Sequence, residues 1–199
     1  MSPPPADKLH PVAFWFLRHG ETDWNTRNLS QGAVDIPLNE TGLAQARSAS
    51  LMLRDRGIKT IISSPLSRAK VTADIAAAHL GLPVQIDEGL KEVAFGIKEG
   101  EPMSEWFQPW VDGLLTPEGA ESFPALTTRA VAAVNRCIAR PPVVLVVAHG
   151  ALFRALRGAM GHKPNVRTRN AVPVWCEPPA AGTDRWSVTY ADGGGDMPN

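Results

Sequence analysis

Two apolar runs and the residues that end them set the frame for this chain. Residues 143–148 form its most apolar stretch, too short for a membrane span and long enough for one strand buried on both faces. It ends in His149-Gly150. Residues 12–17, Val-Ala-Phe-Trp-Phe-Leu, form a second such run, which ends in Arg18-His19-Gly20. In open α/β sheets, ligands bind beyond the carboxyl ends of the strands. A guanidinium and an imidazole at that edge, with the Asn25 amide close behind, suit a phosphoryl group. Arginine grips its oxygens as a bidentate fork, and neutral imidazole can attack phosphorus. Gly20 lets the backbone turn sharply and come close to a ligand. The tripeptide alone fits a surface arginine and a turn histidine equally well, so the rest of the chain decides.

The remaining pattern alternates. Strands are predicted at 58–62 and 83–86, near 171–176 and at 185–190; helices at 39–57, 65–80, 124–139 and 151–160. Residues 87–122 break the alternation, with Trp106, Phe107, Trp110 and many glycines and prolines, and one short helical piece at 103–114. The stretch reads as an inserted lid with its body at 93–122, the aromatic trio forming the lid's own core. The order predicts an α/β fold: a three-layer α/β/α sandwich with a largely parallel central sheet and an inserted lid, one domain over 1–199. Residues 1–10, with Pro3-Pro4-Pro5, and the Gly-rich 191–199 are expected to be disordered tails.

Composition narrows the function. Lys+Arg and Asp+Glu are equal at 20 each, so no global field gathers nucleic acid or an anionic membrane, and any anion site is local. There is no secretory signal core and no apolar run of membrane length, which predicts a soluble cytoplasmic protein. Cys137 and Cys176 belong to no Cys-x-x-Cys pair and are expected reduced and packed. No His/Asp/Glu spacing resembles a metal site, so neither metal nor cofactor is expected. The expected partner is a small-molecule phosphomonoester, the expected state a monomer or homodimer.

The second predicted strand runs into Ser63-Ser64-Pro65-Leu66-Ser67-Arg68. If the strands at 12–17, 58–62 and 143–148 are parallel neighbours, Arg18, His19, Arg68 and His149 converge at one sheet edge. Such groups repel one another unless an oxyanion lies between them. His10, His79 and His162 follow no strand into this cluster and are read as non-catalytic.

These blocks resemble the histidine phosphatase superfamily, in its phosphoglycerate mutase-like branch. Arg18-His19-Gly20-Glu21-Thr22 with Trp24-Asn25 matches the signature motif. Gln31-Gly32, Asp35, Pro37-Leu38, Thr41-Gly42 and Gln45-Ala46 follow it in order. Ser63 to Ala69, Leu90-Lys91-Glu92 with Phe95-Gly96 and Glu99-Gly100, Gly119-Ala120-Glu121-Ser122, and Ala148-His149-Gly150 complete the set. The resemblance implies that His19 is the nucleophile that becomes phosphohistidine. It implies a phosphate pocket of Arg18, Arg68 and His149, lined by Asn25 and Gln31 with Thr22 at its periphery. Glu92 is implied as proton donor to the leaving oxygen, its pKa raised by the phosphate. The same resemblance implies that a backbone carbonyl holds the other ring nitrogen of His19. Glu21 is read as structural, pairing near an arginine. Two positions depart from the pattern: Lys98 stands where an aromatic is usual, and Ala151 where many relatives have Gly or Asn.

The leading expectation is a metal-independent phosphomonoesterase acting through phosphohistidine on a small phosphorylated metabolite. The alternative is a cofactor-dependent phosphoglycerate mutase; a silent phosphate-binding module fits less well, given an intact His19 and Glu92. A mutase must hold a second anionic group. Between Val93 and Thr128 the only basic residue is Lys98, so the lid is expected to favour a less charged leaving group. Arg154, Arg157, Arg167 and Arg169 reverse that expectation if they reach the mouth.

Overall fold

Residues 8–198 are described by the computed structural model. Six strands form one sheet in the order β3-β2-β4-β1-β5-β6. β1 (Phe14–Arg18), β2 (Thr60–Ser63), β3 (Val84–Ile86) and β4 (Val144–Ala148) run parallel, and β5 (Val174–Glu177) and β6 (Ser187–Tyr190) add an antiparallel edge. Period-two alternation divides the central strands between two cores. Trp15, Leu17, Leu145 and Val147 face one core with Ala49 and Leu53 of α2 (Glu40–Met52, and the residue after it) and Ala69, Ala73 and Ala76 of α3 (Ser67–Leu80). Phe14, Phe16, Val144 and Val146 face the other, with Val131 and Val134 of α5 (Phe123–Ile138) and Leu152, Phe153 and Leu156 of α6 (Gly150–Ala159). Helices on both faces of a mostly parallel sheet give the three-layer α/β/α sandwich expected from the sequence.

The lid leaves after β3 and returns at α5. Of the predicted helical piece only α4 (Phe107–Val111) forms, together with 3₁₀ turns at Glu88–Leu90 and Gly96–Lys98. Its aromatics are core. Phe95 meets the rings of Trp106, Phe107 and Trp110 at 5.3, 6.1 and 5.0 Å, and Trp110 abuts Phe123 at 5.1 Å. Both indole N–H groups are satisfied, Trp110 by the Glu121 carbonyl and Trp106 by that of Pro102. The loop from Thr22 to Leu38 contains one helical turn that periodicity does not reveal, α1 (Asp23–Thr26).

The tails depart from expectation. The amide of His10 donates to Asn135 on α5, Asn135 donates back to the Lys8 carbonyl, and Leu9 is buried. At the other end Met197 is buried and its amide bonds the Val188 carbonyl, while Tyr190 bonds Gly195. The glycines that suggested mobility let this stretch fold back along β6. The rest of the expected N-terminal tail, residues 1–7, lies outside the described residues. Cys137 and Cys176 are free and buried, and burial pushes the Cys137 thiol up to about 12.

One close approach fixes the signature loop on the sheet. A Cβ on Gly20 would lie 2.4 Å from the Gly42 carbonyl oxygen, and one on Gly42 would lie 2.1 Å from that of Glu21. Backbone thus packs directly on backbone where α2 begins. Asn39 caps that helix through the Gly42 amide and also donates to Glu21, so the partner of Glu21 is this amide, not an arginine. Gly42→Ala should therefore cost about 2–3 kcal/mol by overpacking. In thermal unfolding this is a fall in Tm of roughly 5–10 °C for a chain of this size. An unchanged Tm would show that the loop and α2 separate at no cost.

Candidate active site

The parallel register brings the predicted groups together. Arg18 is opposite Ala148, and Ser63 is opposite Val147, so His19, His149 and Ser64 leave three adjacent strands side by side. The His19 amide extends the ladder to the Ala148 carbonyl at 3.0 Å. The two imidazoles sit 5.3 Å apart, centroid to centroid, and both are buried.

His19 Nδ1 lies 2.7 Å from the Gly20 carbonyl oxygen. A carbonyl only accepts, so Nδ1 carries the proton and Nε2 holds the free lone pair of the neutral ring. Burial, then Arg68 and Arg18, hold its pKa well below the usual imidazole range. The His149 pKa is lowered by the same kind of environment, burial first and the charge of Arg68 next. His149 Nε2 shares a 2.7 Å hydrogen bond with Ser64 Oγ, and its Nδ1 is buried without a partner. Ser64 Oγ also accepts the Leu66 amide, which leaves its O–H free to donate.

Both pocket arginines are anchored by carbonyls instead of carboxylates. Arg18 donates to Thr168 at 2.7 Å; Arg68 donates to Val34 and Gly32 at 2.7 and 2.8 Å. The Nε of each is buried and unpartnered. Burial, with Arg154 and Arg167 next in effect, lowers the Arg18 pKa to about 9, so it stays charged at neutral pH. Arg68 also places the loop that carries Gln31, whose other end is held where Asp35 accepts the Ser67 amide and hydroxyl at the start of α3.

Glu92 comes from the stem of the lid and caps α6. Its Oε1 accepts the amides of Val93 and Leu152, both at 3.0 Å, and its Oε2 accepts that of Ala151 at 2.9 Å. His149, the N-cap residue itself, gives α6 no side-chain cap. The departure at Ala151 therefore lies where the backbone, not the side chain, meets the acid.

Asn25 Oδ1 accepts from the Thr22 amide and from Asn170 Nδ2, which leaves the Asn25 amide nitrogen for a ligand. Thr22 lies deeper than the sequence suggests. It is fully buried, its hydroxyl accepts the Asn25 amide in a capping box, and it positions Asn25 without lining the cavity. Sequence reasoning missed Asn170, which also donates to the His19 carbonyl at 3.0 Å, and Thr168, which holds Arg18. The Arg-Thr-Arg-Asn run at 167–170 is the signal that could have marked them.

The site opens through two adjoining cavities that share Arg18, Asn25, Met103 and Arg154. His19, Arg68 and Glu92 line the inner one. Arg167 lines the outer one, and Lys98 lines neither. Arg157 is turned away, donating to the carbonyls of Lys163 and Pro198, and Arg169 is paired with Asp192. Among the described residues, no group of three His, Cys, Asp or Glu side chains could hold a metal, and no helix is long and apolar enough to cross a membrane.

The chain is similar to known proteins in sequence and in fold. The sequence profile of the histidine phosphatase superfamily, branch 1, matches residues 14–173. The chain is 35% identical to the uncharacterized phosphatase PhoE of Bacillus subtilis over 181 residues, 89% of this chain and 92% of that one. It is 36% identical to a probable phosphoglycerate mutase GpmB of Yersinia pestis over 173 residues, 78% of this chain and 80% of that one. Among solved structures it resembles a mycobacterial glucosyl-3-phosphoglycerate phosphatase complexed with VO3 (TM-score 0.78, 28% identity, 89% and 97% of the two chains). It also resembles a phosphoserine phosphatase from Entamoeba histolytica bound to 3-phosphoglyceric acid (TM-score 0.73, 25% identity, 83% and 90%). With its profile matched from β1 to the edge of β5, this chain belongs to branch 1 of the histidine phosphatase superfamily.

Proposed function

We propose that this protein is a phosphomonoesterase that works without a metal and passes through a phosphohistidine at His19 Nε2. One observation carries the reading: the Gly20 carbonyl fixes the proton of His19 on Nδ1, aiming a neutral lone pair into a pocket walled by two buried guanidinium groups. The names of the phosphatase relatives support hydrolysis.

The chemistry is an in-line transfer. His19 Nε2 attacks phosphorus while Arg18 and Arg68 Nε, the Asn25 amide and His149 Nδ1–H hold the equatorial oxygens. The Ser64 hydroxyl donates a hydrogen bond to His149 Nε2 and so keeps the ring proton, as a donor, on Nδ1. The leaving oxygen takes a proton from Glu92. Oε2, which accepts one amide where Oε1 accepts two, is the oxygen placed to carry it. Water then attacks the phosphohistidine with Glu92 as base, and His19 is released neutral. The guanidinium groups supply the positive charge that a divalent cation gives in other phosphatases, and they would repel one. Activity should survive dialysis against EDTA. Loss on chelation with recovery on adding a divalent metal would overturn this part of the reading.

The mutase reading has support in the names of the GpmB relatives. Following 2-phosphoglycerate and free phosphate from 3-phosphoglycerate separates the two: phosphate release without interconversion is expected, and faster interconversion would establish the mutase.

The nucleophile is tested by trapping. Brief exposure to labelled substrate should leave acid-labile phosphate on His19, and full turnover by His19→Ala would end the proposal. Labelled-histidine NMR tests its charge state. His19 and His149 should keep neutral-form shifts at pH 6, below the usual midpoint of 6.5. The unfolded chain protonates both there, so stability is full above that midpoint and falls as pH drops below it, by up to about 2.7 kcal/mol per pH unit. Midpoints at or above 6.5 for both rings would contradict the burial of the site.

Glu92→Gln should lose on the order of 10²–10⁴-fold in rate on alkyl phosphates, and less on p-nitrophenyl phosphate, whose leaving group needs little protonation. It should also lower stability by about 1–3 kcal/mol, because the new NH₂ must face an amide N–H of Val93, Ala151 or Leu152. Equal losses on both substrates would place the acid elsewhere.

A further inference from the structure

The stem of the lid carries Glu92, and it is gripped by an arginine that lines neither cavity. Arg129 stands on α5 and makes four hydrogen bonds. Its Nε and Nη2 meet the two carboxylate oxygens of Glu121 at 2.9 and 2.6 Å, as a fork. Its Nη1 donates to the Gly89 and Lys91 carbonyls at 2.9 and 2.8 Å. Gly89 and Lys91 lie where the lid leaves the core and Glu121 where it returns, so one guanidinium joins both ends. The Glu121 amide closes the same junction by donating to the Ala94 carbonyl at 2.9 Å.

The Lys91 carbonyl belongs to the peptide unit whose nitrogen is that of Glu92. Glu92 is therefore held from two directions: its backbone through Arg129, and its carboxylate through the amides of Val93, Ala151 and Leu152. Without the Arg129 bonds those amides still hold the carboxylate, but the backbone beneath it loses its anchor on α5. Ala133 and Arg136 follow Arg129 along the helix at spacings that share one face. Arg136 forks onto Asp87 at 3.0 and 2.7 Å, and Asp87 accepts the Gly89 amide at the start of the turn. A Cβ on Gly89 would lie 2.9 Å from that of Ala133, so the turn is pressed closely onto α5. A pair that only stapled the lid shut would need Glu121 alone. The two bonds from Nη1 fall instead on the turn that ends at Glu92.

We infer that Arg129 is a positioning residue for Glu92: with Glu121 as counter-ion, it sets where the acid meets the leaving oxygen. The inference rests on the phosphatase reading above and deepens it. A catalytic group misplaced by about 1 Å can cost on the order of 10²-fold in rate. Phosphate binding is spared, because Arg18, Arg68 and Asn25 have anchors of their own. The Arg129 charge also reaches His149, where burial, Arg68, His19 and Arg18 come before it in lowering the pKa. Lysine keeps that charge and loses the fork.

The test compares an alkyl with an aryl ester. Arg129→Met should lower kcat on ethyl phosphate by about tenfold or more and on p-nitrophenyl phosphate by less than about threefold, with both KM values unchanged. A merely structural loss lowers the active fraction and scales both esters alike. Added to Glu92→Gln, Arg129→Met should leave the ratio between the esters where it was, because the acid it positions is gone. Arg129→Lys should not restore the ratio; full restoration would assign the effect to charge at His149 and overturn the positioning role. Amide hydrogen exchange gives a readout without turnover. The Ala151 and Leu152 amides, which Glu92 holds, should exchange about tenfold faster in both Arg129 variants, measured against the amides of β4. Faster exchange there, with no hydrolysis of either ester by the intact chain, would remove the phosphatase and keep the placement of Glu92. Unchanged exchange at both amides, or equal losses on the two esters, would overturn the inference.

Discussion

The parallel pairing of β1 with β4 is the constraint on which the site depends. Because Arg18 lies opposite Ala148, the next residue on each strand is a histidine, and the His19 amide is still held by the Ala148 carbonyl. A slip of one residue would turn either Leu17 or Val147 out of their shared core and send the histidines to opposite faces. The pairing of β2 with β4 adds Ser64 to the row at the one height where its hydroxyl reaches His149. The two-sided core thus enforces the geometry of the candidate site: burying alternate residues in opposite cores leaves one register, and that register aligns the strand ends.

Placing two guanidinium groups and two neutral imidazoles in a buried pocket is unfavourable in itself, as the lowered pKa values of Arg18, Arg68, His19 and His149 record. The surroundings offset part of that cost with dipoles. Carbonyls of Thr168, Val34, Gly32 and Gly20 each accept a hydrogen bond from one of these groups. The start of α6, a natural seat for an anion, is occupied instead by Glu92. In the proposed reaction the phosphate is therefore left to the side chains. Glu92, which belongs to the lid stem, is fixed to the same helix that follows His149.

Much of this was legible because the chemistry sits at strand ends that the apolar runs mark. The strands at 12–17 and 143–148, the β-α alternation and the residues after each strand led to the sheet and to Arg18, His19, Arg68 and His149. What periodicity could not show is pairing outside regular elements. Asn170 and Thr168 act through a loop about 150 residues away from the groups they hold, and nothing local signals it. Thr22 reads as a ligand because it stands in the signature, whereas its hydroxyl is used by the helix turn it starts. The chain ends read as loose because proline and glycine are judged by composition, yet Leu9 and Met197 each bury one apolar side chain and tie their segments to the core.

The count of lid cations covers only one wall of the mouth, which Arg154 and Arg167 also line. It assumed that the wall facing the leaving group comes from the segment that covers it. In the folded chain the lid contributes mostly apolar and aromatic surface at that wall, Phe95 and Met103 in the inner cavity, with Phe107 beneath the guanidinium of Arg154. The charge comes from behind. Helical spacing carries Arg154 from the turn that begins at Gly150 back over the pocket, and an aromatic face is a surface on which guanidinium keeps its charge while shedding water. The two elements divide the work: the lid offers a flat apolar seat in Phe107, and α6 sets a cation on that seat. A lid poor in cations therefore does not by itself set the charge at the mouth, because Arg154 reaches it from α6.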